Sequence, residues 1–323
     1  MQWHRIAELP LQNPVGHWKI DLWRTINSHG ITELPPLSLD EIARTLQVTL
    51  RLPGGGARTV AVGESRPGYA GIEVAGRRPA AAAVESLREA MIHILRLDED
   101  LSPFYAKAAA DPQLEWVTQG AGRMVRSATV FEEVVKTICT TNCSWSATKR
   151  MVSAIVEHIG EKAPGAPPSG ADGRCFPTPQ AMASAGESFY REVARAGYRW
   201  RYLHDLAVRV AVGELDLEQL GRASSSELSD DELEARLLAL PGVGPYAAAH
   251  VMLMLGRYSR LILDSWTRPT YLRLAGKRSS TDTTIKRRFA RYGRYAGLAF
   301  WLYITRDWVE DATPPLAPLI DRR

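Results

Sequence analysis

The stretch Leu240-Pro241-Gly242-Val243-Gly244-Pro245-Tyr246-Ala247-Ala248 constrains this chain more than any other. Before it, residues 231–240 carry Leu233, Leu237 and Leu240 at three-to-four spacing, which predicts a helix. After it, residues 246–255 predict a second helix, stopped by Gly256. Pro245 suits a first helical position, where a missing N–H costs little. Glycines in the intervening Gly-x-Gly let the backbone turn tightly and approach a ligand closely. The open N–H groups at the second helix's start, around Gly244, Tyr246 and Ala247, favour an anion, most simply a phosphate. The element is a helical hairpin over 231–256. It can hold a nucleic acid by its backbone, a contact that positions without reading sequence. The same turn also serves as a plain packing unit, so the flanking residues decide between the two.

Three further stretches carry chemistry. The apolar run Leu261-Ile262-Leu263 ends in Asp264, Ser265, Trp266, Thr267 and Arg268. An acid at such a place is commonly an N-cap. Phe131 to Cys139 is apolar at helical spacing and is broken by Thr140-Thr141-Asn142, with a new helix from about Ser144. Locally this is a cap between two core helices. In Gly197-Tyr198-Arg199-Trp200-Arg201-Tyr202, aromatics alternate with arginines, a combination that stacks on bases and pairs with phosphates, or that simply starts a helix with a basic face.

The rest of the chain is less specific. Leu46, Val48, Leu50 and Leu52 alternate with polar residues as a half-buried strand, with partner strands expected at 59–62 and 72–74 and helices at 38–45 and 81–95. From about residue 110 the pattern is helical. Residues 161–175 read as a mobile surface loop, 213–230 as a loop-rich link, and the tail with Pro314, Pro315 and Pro318 as irregular. The 323 residues allow one to three domains, and a net charge of +4 permits a polyanionic partner without requiring one. Lys286-Arg287-Arg288, Arg291 and Arg294 alternate with Phe289, Tyr292 and Tyr295, either as a solvated face or as a DNA contact. Cys139, Cys143 and Cys175 are too few for a disulfide framework. No signal peptide and no apolar run of membrane-spanning length is expected.

The hairpin, the following Asp264, Asn142 and the Gly-Tyr-Arg at 197–199 stand in an order that resembles the helix-hairpin-helix DNA glycosylase superfamily, closest to the 3-methyladenine DNA glycosylase II and 8-oxoguanine DNA glycosylase types. The resemblance implies a mainly α fold: a helical glycosylase core over 106–323 behind a small N-terminal α+β domain, with an antiparallel sheet, over 1–105. It implies that Asp264 is the catalytic carboxylate and that Asn142 enters the gap left by an extruded base. It further implies that Tyr198 wedges into the base stack, that Arg199 approaches the unpaired partner base, and that Gly242, Gly244, Tyr246 and Ala247 hold the DNA backbone. Tyr246, His250, Phe300 and Trp301 are the expected base pocket. Main-chain carbonyls of Leu238, Leu240 and Val243 are the expected seat of a structural monovalent cation.

No iron–sulfur cluster is expected, because no cysteine follows Cys175. Tyr246 stands where bifunctional relatives carry an imine-forming lysine, which implies a monofunctional hydrolase. Its aromatic wall suits a cationic alkylated purine such as 3-methyladenine. The expected partner is double-stranded DNA with a damaged base, and the expected state a cytoplasmic monomer, nucleoid-associated in a prokaryote. An 8-oxoguanine-type glycosylase, a non-catalytic helix-hairpin-helix DNA-binding module and a transcription factor are the alternatives.

Overall fold

A computed structural model describes residues 2–309. The tail prolines fall outside the described residues. The N-terminal part is a five-stranded antiparallel sheet in the order β1-β5-β4-β3-β2, with β1 at Trp3–Pro10, β2 at Leu37–Asp40, β3 at Thr45–Arg51, β4 at Ala57–Arg66 and β5 at Tyr69–Ala75. Pairing sets Val48, Val60 and Val74 in one row, and Leu46, Val62 and Ile72 in the next. All six are buried, so the expected alternation has a physical cause: one face of the sheet is a core. The helix Ala81–Leu95 covers that face with Leu87, Met91 and Ile94. Full burial of each contributes roughly 1.5–3 kcal/mol.

Residues 38–45 are not the helix that was expected. Leu37–Asp40 is strand β2 paired with β3, and a turn follows in which Asp40 Oδ1 accepts the Ala43 N–H at 2.8 Å. Ile42, which a helical stripe would bury, is almost fully exposed. The link 213–230 likewise contains a short helix, Leu217–Arg222, N-capped by Asp216. The ends of the loop at 161–175 are closed by backbone bonds, Ala163 N–H to Gly173 and Cys175 N–H to Glu161.

The remainder is helical and holds two cores. The second hairpin helix, Pro245–Met254, belongs to both: Ala247, Ala248, Val251 and Met252 pack into one, Ala249, Leu253 and Met254 into the other. A helix that is apolar all round is one buried on all sides. Arg123, wholly buried, ties the N-terminal part to the helices through the Asn13 side chain at 2.7 Å and the carbonyls of Arg96 and Glu99 at 3.0 and 2.7 Å. No helix among the described residues is long and apolar enough to cross a membrane.

Candidate active site

A cleft of about 1280 Å³ opens where the hairpin, the helix Val130–Thr140 and the N-terminal part meet. Asp264, Asn142, Tyr198, Gly242, Gly244, Tyr246, Ala247, His250 and Trp301 all line it. Residues spread over more than 150 positions of sequence are thus brought to one place.

Asp264 sits half-buried at the start of the helix Thr267–Leu274. Its Oδ1 accepts the N–H of Trp266 at 2.8 Å and of Thr267 at 2.6 Å, while Thr267 Oγ1 accepts the Asp264 N–H at 2.8 Å. The capping role read from sequence is therefore present. It fixes the carboxylate's orientation and leaves Oδ2 with no hydrogen-bond partner among the described residues. A helix N-terminus adds a favourable dipole for negative charge.

The cleft wall is aromatic. Trp301 donates Nε1–H to the Ser28 carbonyl at 2.8 Å and lies 6.0 Å from Trp266 and 5.7 Å from Trp308. Tyr246 is 5.7 Å from His250, and its hydroxyl meets Thr140 Oγ1 at 3.4 Å. Phe300 does not belong to this wall. It is fully buried on the other side of its helix, against Tyr271 and Phe289. Further rings of the wall come from Trp266, two residues after Asp264, from Trp145 and from His29. The N-terminal part is thus more than scaffold: His29, Gly30, Ile31 and Glu33 reach the cleft. Nothing in the local sequence around His29 marks it, and Trp308 carries no motif either.

Both histidines are buried. Burial pushes His250 down to about 4, only partly opposed by the Asp264 carboxylate. Burial, helped by the neighbouring His250, holds His29 well below its ordinary value. The two histidines are therefore uncharged at neutral pH and do not repel a cation.

Asn142 has a left-handed backbone, φ 46°, and is exposed between the cap of one helix and Ser144, the N-cap of the next. Its Nδ2 donates to the Tyr198 hydroxyl at 3.2 Å. Tyr198 is 53% exposed, free to meet a large partner. Arg199, beside it, packs inward. It is buried, donates Nε–H to Thr141 Oγ1 at 3.3 Å and Nη2–H to the Thr141 carbonyl, and lies 4.6 Å from the Tyr198 ring. It faces inward because Thr141 offers two acceptors at once, and so it clamps the Asn142 loop to Tyr198 rather than reaching outward.

In the hairpin, Asp230–Leu238 begins with a capping box between Ser229 and Glu232. Gly242 has φ +74°, and a Cβ there would lie 2.8 Å from the Tyr202 ring. Gly244 precedes Pro245, has φ −98°, and opens onto free space. No side chain among the described residues caps this helix, and its first turn lines the cleft. Leu238 ends the first hairpin helix, and the Leu240 carbonyl accepts the Val243 N–H at 3.2 Å.

Lys136 is the lysine of the cleft wall. Its amine pairs with Glu132 at 2.6 Å and donates to the Leu34 carbonyl at 3.3 Å, so it is engaged in the wall. The basic-aromatic run at 286–295 is a core edge: Phe289, Tyr292 and Tyr295 are buried, Arg291 pairs with Asp111, and Arg288 lies over Tyr303. Burial pushes the thiols of Cys139 and Cys175 up to about 12, which leaves them unreactive.

No protein-family model matches the sequence, and none of the curated proteins matches it. Solved structures do. A 3-methyladenine DNA glycosylase from Archaeoglobus fulgidus superposes with TM-score 0.71 at 20% identity, over 94% of this chain and 98% of its own. MBOgg1 in complex with a low-affinity DNA ligand gives TM-score 0.69 at 21% identity, over 95% of this chain and 99% of its own. An 8-oxoguanine glycosylase/lyase from Clostridium acetobutylicum, bound to DNA with cytosine opposite 8-oxoguanine, gives 0.61 at 21%, over 85% of this chain and 98% of its own. The chain shares the fold of these structures, from the N-terminal sheet through the helical core.

Proposed function

We propose that this protein is a DNA glycosylase that hydrolyses the N-glycosidic bond of a damaged base extruded from duplex DNA. The observation that carries the reading is Asp264: a carboxylate with one oxygen fixed by two backbone N–H groups and the other without a partner among the described residues, in an aromatic cleft rimmed by a phosphate-type hairpin. Bond breaking leaves positive charge on the sugar. A fixed carboxylate near that carbon stabilises the charge and can orient or deprotonate the attacking water. A base inside a duplex is out of reach, so it must be flipped out and the gap filled. Asn142 and Tyr198 stand exposed and bonded to each other beside the cleft, as plug and wedge, with Arg199 holding both. The open N–H groups after Gly244 would hold the backbone phosphate.

The preferred substrate is an alkylated purine such as 3-methyladenine, released without strand cleavage. The four indoles that line the cleft and Tyr246 attract a cationic base, and alkylation has already weakened the bond to be broken. Tyr246 cannot form an imine, and the amine of Lys136 is engaged by Glu132 and Leu34. A second substrate reading, 8-oxoguanine, is favoured by the likeness to the Clostridium acetobutylicum enzyme.

A panel of duplexes, each with one modified base, scored for base release before and after alkali, separates these. Release of 3-methyladenine with alkali-dependent nicking supports the reading. A borohydride-trapped protein–DNA adduct overturns the monofunctional mode, and release of 8-oxoguanine alone overturns the substrate. Binding with no release from any duplex leaves a non-catalytic binding module.

We extend the proposal to a monovalent cation on the main-chain oxygens of Leu238, Leu240 and Val243, a hard-oxygen donor set in one turn. Replacing potassium by a bulky organic cation at equal ionic strength should then lower the melting temperature, and an unchanged value would remove the cation.

A further inference from the structure

His29 belongs to the N-terminal part, yet its ring stands in the cleft wall. It stacks on Trp301 at 5.0 Å and meets His250 edge-on at 4.6 Å. Its Nδ1 accepts the backbone N–H of Ile31 at 3.2 Å and so caps the short helix Gly30–Glu33. A nitrogen that accepts a hydrogen bond carries no proton. The ring is neutral because burial disfavours its charged form. Its single proton therefore sits on Nε2, and no acceptor among the described residues takes it. Trp301 is fixed in turn by its bond to the Ser28 carbonyl, one residue away, so ring and indole hold each other in place.

Among the described residues the same wall carries three buried polar atoms without a partner, His250 Nδ1, Thr137 Oγ1 and Glu133 Oε1. More than nine in ten buried polar groups are paired in native proteins. Unpaired atoms gathered on one cleft wall are the mark of a site completed by a polar ligand. The indoles bind any flat ring from its faces and give it no direction in its plane, whereas a fixed N–H does.

We infer that His29 Nε2–H reads a hydrogen-bond acceptor, a ring nitrogen or carbonyl oxygen, on the edge of the extruded base, making His29 the specificity-determining residue of the pocket. The inference rests on the glycosylase reading and deepens it. The selected lesions are bases that keep that acceptor. A base that lacks it leaves a buried donor unpaired, which weakens binding by roughly tenfold to a hundredfold.

The test uses the full chain and three free bases as probes, 3-methyladenine and its 1-deaza and 7-deaza analogues, measured by calorimetry, alongside base release from DNA treated with methyl methanesulfonate. The wild-type protein should bind one deaza analogue ten- to a hundredfold more weakly than the parent base. His29→Phe keeps a flat ring on Trp301 but has no N–H. It should bind all three bases alike and release base more slowly. His29→Gln, whose amide can donate from nearly the same point, should restore part of the preference and guards against a folding defect in the Phe variant. Equal binding of the three bases by the wild type, no binding of any, or an undiminished preference in His29→Phe overturns the inference. Absence of base release from every duplex, with the free-base preference intact, overturns the glycosylase reading instead.

Discussion

Two residues define the cleft by what they do to their neighbours. Asp264 both caps a helix and exposes one oxygen, and these roles separate on substitution. Asparagine caps as well as aspartate, whereas alanine costs about 1 kcal/mol of cap energy. Asp264→Asn should leave the melting temperature unchanged and DNA binding intact while lowering single-turnover base release roughly a thousandfold. Release within a few-fold of wild type would move the catalytic role to another group. Arg199 acts through others. Its guanidinium closes on Thr141 and Tyr198, so Arg199→Ala should loosen plug and wedge together. Release from a duplex should fall at least tenfold, while release from single-stranded DNA, which needs no extrusion, should be nearly spared. Equal losses on both substrates would show that Arg199 supports the fold and nothing more.

At the scale of the element, the two hairpin glycines are not equivalent. Gly242 has a positive φ and Tyr202 against it, so Gly242→Ala should destabilise the protein by about 1–2 kcal/mol, read by denaturant unfolding. Gly244 has an ordinary φ and open space beside it, so Gly244→Val should fold normally. Its side chain would stand where a phosphate approaches. DNA affinity should fall alike on all sequences, with a shallower salt dependence than wild type; a loss confined to one sequence would contradict the phosphate role. The hairpin was legible because its signals are local: periodicity, a proline at a helix start, glycines in the turn. Phe300 was misplaced for the opposite reason. All 10 residues of Ala296–Thr305 are buried, so the helix has no polar face to phase it, and one residue of error is a 100° rotation, from Trp301 in the wall to Phe300 in the core. Residues 38–45 are a strand and a turn because Leu37–Asp40 pairs with β3, a long-range contact that no local pattern reveals. The two bonds of Arg199 to Thr141 were not legible, because a sequence cannot show that Thr141 turns two acceptors toward it.

Over the whole molecule the cleft is a product of assembly, and this explains why His29 left no trace in the sequence. It becomes a wall residue only when Arg123 and Trp301 fasten the N-terminal part to the helices. The same burial couples stability to pH. His29 and His250 have folded values below the ordinary 6.5, His250 at about 4. Between those values the unfolded chain binds protons that the folded chain refuses. Stability is therefore full above about pH 6.5 and is lost as pH falls, by about 1.4 kcal/mol per pH unit for each such histidine. His93, brought down to about 3 by burial, adds to the slope, while Glu133, whose carboxyl burial raises, acts in the opposite sense. A difference between proteins cancels both. Melting temperatures of wild type and His29→Phe, measured from pH 7.5 to pH 5, should converge as the pH falls, because the variant no longer carries a proton-refusing ring at that place. Parallel curves would mean that His29 titrates freely in the folded protein, and its single fixed proton, on which the direction of base recognition depends, would be lost with it.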